Sequence, residues 1–313
     1  MLQSPRVPAP SDLRPFLKWA GGKRQLLAQL RRFYPAAITR YVEPFVGSGA
    51  VFFDLCASGR LGAADSVLSD ENADLVGTYL RVADSTDRVL QELHTLADGH
   101  TRHGRAHYYD VRNGRFNPGR EAWRRAGARA ADYPVGLAAM MVYLNRTGYN
   151  GLFRVNARGQ FNVPAGSYDR PAIVNDARMR NAATALSSGA VHIGHAPFEH
   201  SLAGVGKGDF VYLDPPYAPL SVTSNFRSYT VRGFAHADQQ RLSDTVMTLA
   251  THGARILLSN STAESVVRLY DTRAMRRAGM KCWRVPARRA INSRASARGV
   301  IEELLVTNLP PRD

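Results

Sequence analysis

Two strand-to-helix transitions near the start of the chain constrain its fold most. From Tyr41 to Phe53 the run YVEPFVGSGAVFF passes from a short apolar strand through a glycine-rich turn into a helix, and SVLSDENADL repeats the transition from Ser66 to Leu75. Strand, turn and helix recurring in this way build βαβ units, and these build a parallel sheet covered by helices. The rhythm then stops. Asn72 to Leu96 reads as one helix, with Leu75, Tyr79, Leu80, Leu90 and Leu93 at helical spacings, but His100 to Ala131 is rich in Arg and Gly with little pattern. GLAAMMVYLN reads as an apolar helix, and the RTGYNGLFRVNARGQFNVPAG after it ends in a hairpin around Ala157, Arg158 and Gly159. Strand signals resume in VHIGHAPF, DFVYLDPPY, ARILLSN, KCWRV and EELLVTN. HADQQRLSDTVMTLATHG among them predicts a helix with Asp238 as a cap and Gly253 as its stop. The expectation is an α/β sheet domain formed by residues 1–80 and 186–313, split by an insertion of residues 81–185. Sheet segments on both sides of an insertion must meet, which places a site at the carboxyl ends of the strands.

At 313 residues the chain can bury a large core, and its formal net charge of +15 points to a polyanionic partner. Only Lys18, Lys23, Lys207 and Lys281 are lysines, so arginine carries most of the charge, and its planar fork suits phosphates and guanine edges. The run from Arg112 to Arg129 is expected to face solvent and meet phosphates without reading bases. Two cysteines, Cys56 and Cys282, exclude a disulfide framework and fit a reducing cytoplasm. No stretch has the apolar length of a membrane span, and Met1 to Pro15 reads as a short loose arm.

Gly47-Ser48-Gly49 follows a strand and opens a helix, so a nucleotide-like ligand can approach the backbone closely. Asp70, about 20 residues on at the end of the next strand, is placed to bond a ribose hydroxyl. Together they suggest an adenosine-containing cofactor. The full GxGxxG and the GxxxxGK[ST] phosphate loop are both absent, which disfavours a dehydrogenase and an NTPase. Asp214-Pro215-Pro216-Tyr217 directly follows the strand FVYL. Consecutive prolines fix φ and donate no backbone hydrogen bond, so the strand ends in a rigid turn that presents Asp214 and leaves carbonyls free. An exocyclic amino group has two N–H donors; the Asp214 carboxylate and the Pro215 carbonyl can accept them and aim the nitrogen lone pair at a methyl donor. Tyr217 is suited to stack on a base.

The chain resembles the Dam-type DNA adenine-N6 methyltransferases, the D12 class in the alpha group of amino methyltransferases. The resemblance rests on FLKWAGGK from Phe16, VEPFVGSGAVF from Val42, LSDEN around Asp70, NRTGYNGLFRVN from Asn145, FNVPAG from Phe161 and DPPYAPLS from Asp214. It implies a Rossmann-like S-adenosylmethionine-dependent methyltransferase sheet with a mostly helical DNA-recognition insertion. It also implies that Trp19, Lys23, Glu43, Phe45, Gly47, Gly49, Asp70 and Asp214 form the S-adenosylmethionine site. Asp214, Pro215, Pro216 and Tyr217 would hold an adenine flipped out of duplex DNA. Lys18, Tyr149, Asn150, Leu152 and Arg154 would intercalate or read bases, on a target expected to be GATC. Thr147 and Ala165 depart from the family pattern, and neither touches the chemistry. No metal is implied, and the enzyme is expected to act as a monomer on DNA in a bacterial nucleoid or on a phage genome. The competing readings are a cytosine-N4 or other amino methyltransferase, and a catalytically silent methyltransferase fold that only binds DNA. A cytosine-C5 enzyme would need a nucleophilic cysteine, and neither Cys56 nor Cys282 lies near the Pro-Pro turn in sequence.

Overall fold

A computed structural model describes residues 13–19, 21–217, 234–288 and 300–312; the arm before Leu13 and the APLS after Tyr217 lie outside the described residues. The strands are β1 (Arg40–Glu43), β2 (Asp65–Asp70), β3 (Val191–His195), β4 (Phe210–Leu213), β5 (Arg255–Ser261), β6 (Lys281–Arg288) and β7 (Val300–Thr307). They form one seven-stranded sheet in the order β3-β2-β1-β4-β5-β7-β6. The first five neighbours run parallel, and β7 runs antiparallel between β5 and β6. This is the mixed α/β methyltransferase sheet expected from the sequence.

The central strands are short and apolar because both faces are covered. Along β4, Phe210 and Tyr212 point into one core with Tyr41, Leu68, Leu257 and Leu305. Val211 and Leu213 point into the other with Val42, Ile256, Leu258 and Val306. The first face carries helices α1 (Ala50–Ala57), α2 (Ala73–Asp84), α3 (Thr86–Asp110), α4 (Asn117–Arg125), α5 (Val135–Thr147) and α6 (Asp176–Leu186). Buried residues of these helices, among them Leu93, Tyr108, Met141 and Leu144, belong to the same core as that sheet face. Helix α7 (His236–Thr251) covers the other face through Leu242 and Val246. Its Asp238 sits three residues in and accepts the Ala235 N–H at 2.7 Å, and Gly253, at φ +84°, ends the element.

Two expectations need correction, the single helix from Asn72 and the solvent-facing arginine run. The single helix over Asn72 to Leu96 is two, broken at Ser85, whose φ of −137° and ψ of 33° are not helical. The Arg- and Gly-rich stretch is helical as well: α3 reaches Asp110, kinked at Gly104, then one wide turn (Val111–Phe116) leads into α4. Its weak hydrophobic pattern hid this because one inward-facing position is charged. Arg120 is 1% exposed, with Nε and Nη2 each 2.7 Å from an Asp74 carboxylate oxygen. The Tyr133 hydroxyl at 3.0 Å and Arg124 at 3.1 Å complete the hydrogen bonds to Asp74. Arg120 therefore meets no phosphate, whereas Arg115, Arg125 and Arg129 in the same run are exposed.

Candidate active site

Between β1 and β4 the strand order reverses direction, and a crevice opens where their carboxyl ends diverge. From Glu43 the chain turns through Gly47 and Gly49, at φ +47° and +66°, which side chains tolerate poorly. A Cβ on Gly47 would lie 2.9 Å from Trp19 Cδ1, so the ring and the bare backbone are in direct contact. Asp70, ending β2, accepts the Gly47 N–H at 3.2 Å and the Asn72 N–H at 3.0 Å. The Tyr79 hydroxyl donates to the Gly47 carbonyl at 3.1 Å, fixing the turn from beneath.

The second turn follows β4. Trp19, Lys23, Glu43, Gly47, Tyr212 and Asp214 line one cleft. Lys23, 4% exposed, places Nζ 2.7 Å from Asp214 Oδ1 and 4.6 Å from the centre of the Tyr217 ring. The Ser259 hydroxyl donates to Asp214 at 3.2 Å, and the Tyr217 hydroxyl donates to Glu303 on β7 at 2.8 Å. Burial raises the Asp214 carboxyl, outweighing the opposing pull of Lys23. Burial likewise pushes Asp70 up to about 6 and Glu43, which accepts the Tyr41 hydroxyl at 2.8 Å, up to about 8. Glu43 and Asp214, two desolvated carboxyl groups lining one cleft, with Asp70 behind the Gly47 turn, favour a cationic ligand, because a nearby positive charge restores their ionised form. A side-chain-free turn, an acid at the end of β2 and this electrostatic demand suit a small cationic ligand.

The predicted base-reading residues converge beside this cleft. Asn145, buried in α5, accepts the Lys18 N–H at 2.8 Å and donates to the Lys18 carbonyl at 2.6 Å. A Cβ on Gly151 would come within 2.4 Å of Lys18 Cβ, so the two segments pack backbone to backbone. Asn150, at φ 54°, is the one non-glycine residue with positive φ among the described residues. That turn lifts Tyr149 to 41% exposure, one of two large hydrophobics so exposed among the described residues, and leaves Leu152 half-buried. Trp19 stacks on Phe153 at 6.1 Å, so the turn around Asn150 and the cleft beside Gly47 share a wall. The Val155–Phe161 bridge forms the expected hairpin, in which Arg154 donates to Asn162 Oδ1 at 2.8 Å. Phe45 points away from Trp19, packing on Phe198 at 5.6 Å and edge-on against Phe234 at 5.8 Å.

Sequence reading missed Glu303, Ser259, Tyr79 and Asn145, whose partners lie far away in the chain. A faint signal existed for Ser259, a polar residue directly after the apolar run of β5, where parallel strands deliver site residues. Burial raises both thiols, Cys56 to about 12 and Cys282 to about 11, the opposite of an activated nucleophile.

A Rossmann-like sheet with a glycine turn after β1 and an Asp-Pro-Pro turn after β4 defines the class, an amino-group methyltransferase. Residues 19–287 match the model of the D12 class N6 adenine-specific DNA methyltransferases, and the chain belongs to that family. It is 37% identical to the type II methyltransferase M.MjaIII of Methanocaldococcus jannaschii over 95% of this chain and 99% of that one. It is 35% identical to the type II methyltransferase M1.LlaDCHI of Lactococcus lactis, over 95% and 96% of the two chains. The DNA adenine methylase of Escherichia coli K12 is 34% identical, with the same coverage.

Proposed function

We propose that this enzyme transfers the methyl group of S-adenosylmethionine to N6 of an adenine flipped out of duplex GATC, acting as a monomer in the cytoplasm. The observation that carries the reading is the Asp214 turn, held by Lys23 and Ser259 within the same cleft as the Gly47 turn. Trp19, Lys23, Asp70 and the Gly47–Gly49 backbone hold the cofactor, which supplies an electrophilic methyl on a sulfonium. Asp214 and the Pro215 carbonyl accept the two N6 hydrogens, and Tyr217, its hydroxyl anchored on Glu303, faces the base. Accepting both hydrogens turns the N6 lone pair out of conjugation and toward the methyl, so catalysis is positioning and no covalent enzyme intermediate forms. Residues 81–185 serve as the target-recognition part, with Lys18, Tyr149, Asn150, Leu152 and Arg154 at the DNA. The exposed arginines Arg115, Arg125 and Arg129 supply salt-dependent phosphate contacts.

The test is transfer of labelled methyl from S-adenosylmethionine to duplexes containing GATC, GTAC or neither, with nucleoside analysis. N6-methyladenine formed only with GATC is the expected result. Label in GTAC refutes the target, and label in cytosine refutes the base. Asp214→Ala is expected to abolish transfer while retaining nonspecific DNA binding; retained activity would sink the assignment of the turn.

A further inference from the structure

The Asp-Pro-Pro turn cannot hold its own shape by hydrogen bonds, because Pro215 and Pro216 have no N–H to donate. Its fastening comes from outside. Asp214 is tied to Lys23 and Ser259, and Tyr217 to Glu303. The fourth tie is a side chain that no motif singles out. Gln239, on α7 and 1% exposed, donates Nε2 to the Pro216 carbonyl at 3.0 Å. Its Oε1 accepts Asn260 Nδ2 at 3.1 Å, and Asn260, fully buried on β5, accepts the Ser261 N–H at 2.8 Å through its own Oδ1. The chain of donors therefore has one direction. Asn260 Oδ1 is committed to a backbone N–H, so its amide must donate to Gln239, whose amide must then donate to Pro216.

We infer that Gln239, oriented by Asn260, is a positioning residue that aims the Pro215 carbonyl at the substrate amino group. The inference rests on the reading of the Asp214 turn as the adenine-binding element. The proline ring fixes φ at Pro216, and the Gln239 bond fixes the peptide plane that follows it. With both sides of the Pro216 Cα set, the preceding plane, which carries the Pro215 carbonyl, has little freedom left. Among the described residues that carbonyl accepts no hydrogen bond, and it remains open to the N6 hydrogen.

Two variants test this in the full-length enzyme, using single-turnover methyl transfer at saturating S-adenosylmethionine and duplex. Gln239→Leu keeps the bulk and removes the donor; its rate is expected to fall about 10-fold to 100-fold at every pH. Gln239→Glu keeps the shape, and burial raises its carboxyl above the ordinary range. Protonated, it donates to Pro216 and still accepts from Asn260; ionised, it presents two acceptors to a carbonyl. Its rate relative to wild type is expected to recover toward unity at pH 6 and to fall at least 10-fold by pH 9. Asp238 and Arg241 beside it on α7, and Lys23, Asp214, Tyr217 and Glu303 around the turn, are present in both proteins, so their effects cancel in the ratio.

A Leu variant with wild-type rate overturns the inference. So does a folded Glu variant whose relative rate is the same at pH 6 and pH 9, since a packing role does not respond to the proton. If the Leu variant fails to fold by its melting curve, the Glu variant alone decides. Absence of N6-methyladenine with the wild-type enzyme would refute the underlying reading instead, so the two failures are distinguishable.

Discussion

Glu43 lies 2% exposed beneath the cleft, and burial pushes its carboxyl from 4.5 up to about 8. The folded protein thus keeps a proton that the unfolded chain releases above about pH 4.5, so stability falls as pH rises from there through about 8. A displacement of this size corresponds to a loss on the order of 3 to 5 kcal/mol by pH 9. Glu43→Gln keeps the shape and an oxygen for the Tyr41 hydroxyl, and has no proton to lose. Urea unfolding of both proteins at pH 5, 7 and 9 is the assay. The two stabilities are expected to be similar near pH 5 and to diverge as pH rises, with the variant several kcal/mol the more stable at pH 9. Asp70, raised to about 6, titrates in both and drops out of the comparison. Curves that run parallel within about 1 kcal/mol from pH 5 to pH 9 would refute the argument that Glu43 is held protonated by burial.

Arg120→Met removes two of the hydrogen bonds to the buried Asp74 carboxylate, leaving it the Arg124 and Tyr133 contacts. A loss of about 3 kcal/mol and a fall in Tm of about 5 °C are expected; a change below about 1 kcal/mol in thermal melting would show that the pair is not structural. Gly47→Ala must place a Cβ at φ +47° and 2.9 Å from Trp19 Cδ1. It is expected to cost about 1 to 2 kcal/mol of stability and to weaken S-adenosylmethionine at least 10-fold by calorimetric titration. An unchanged Kd would remove Gly47 from the cofactor site.

Where a functional feature is local, the sequence carried it. Gly47, Gly49 and the adjoining prolines after Asp214 restrict the backbone whatever surrounds them, so both turns and the strands that enter them were legible. The helix over 236–251 was legible for the same reason, since its apolar spacing and its terminal Gly253 are properties of one segment. The stretch from His100 to Ala131 was not. One inward-facing position of its helices is Arg120, which reaches Asp74 more than 40 residues away, and a buried cation reads in sequence as a solvated one.

The two motifs and the order in which they occur were therefore written in the chain itself, because a residue's backbone limits and hydrogen-bonding groups travel with it. Tertiary structure decided which residues surround them. Parallel pairing brought Tyr41 of β1 beside Phe210 of β4, and with it the Gly47 turn beside Asp214. The antiparallel return of β7 carried Glu303 to Tyr217, and α7 carried Gln239 to Pro216. Such contacts join residues from distant parts of the chain, and their energy comes from burial, which exists only once the sheet has closed over its core.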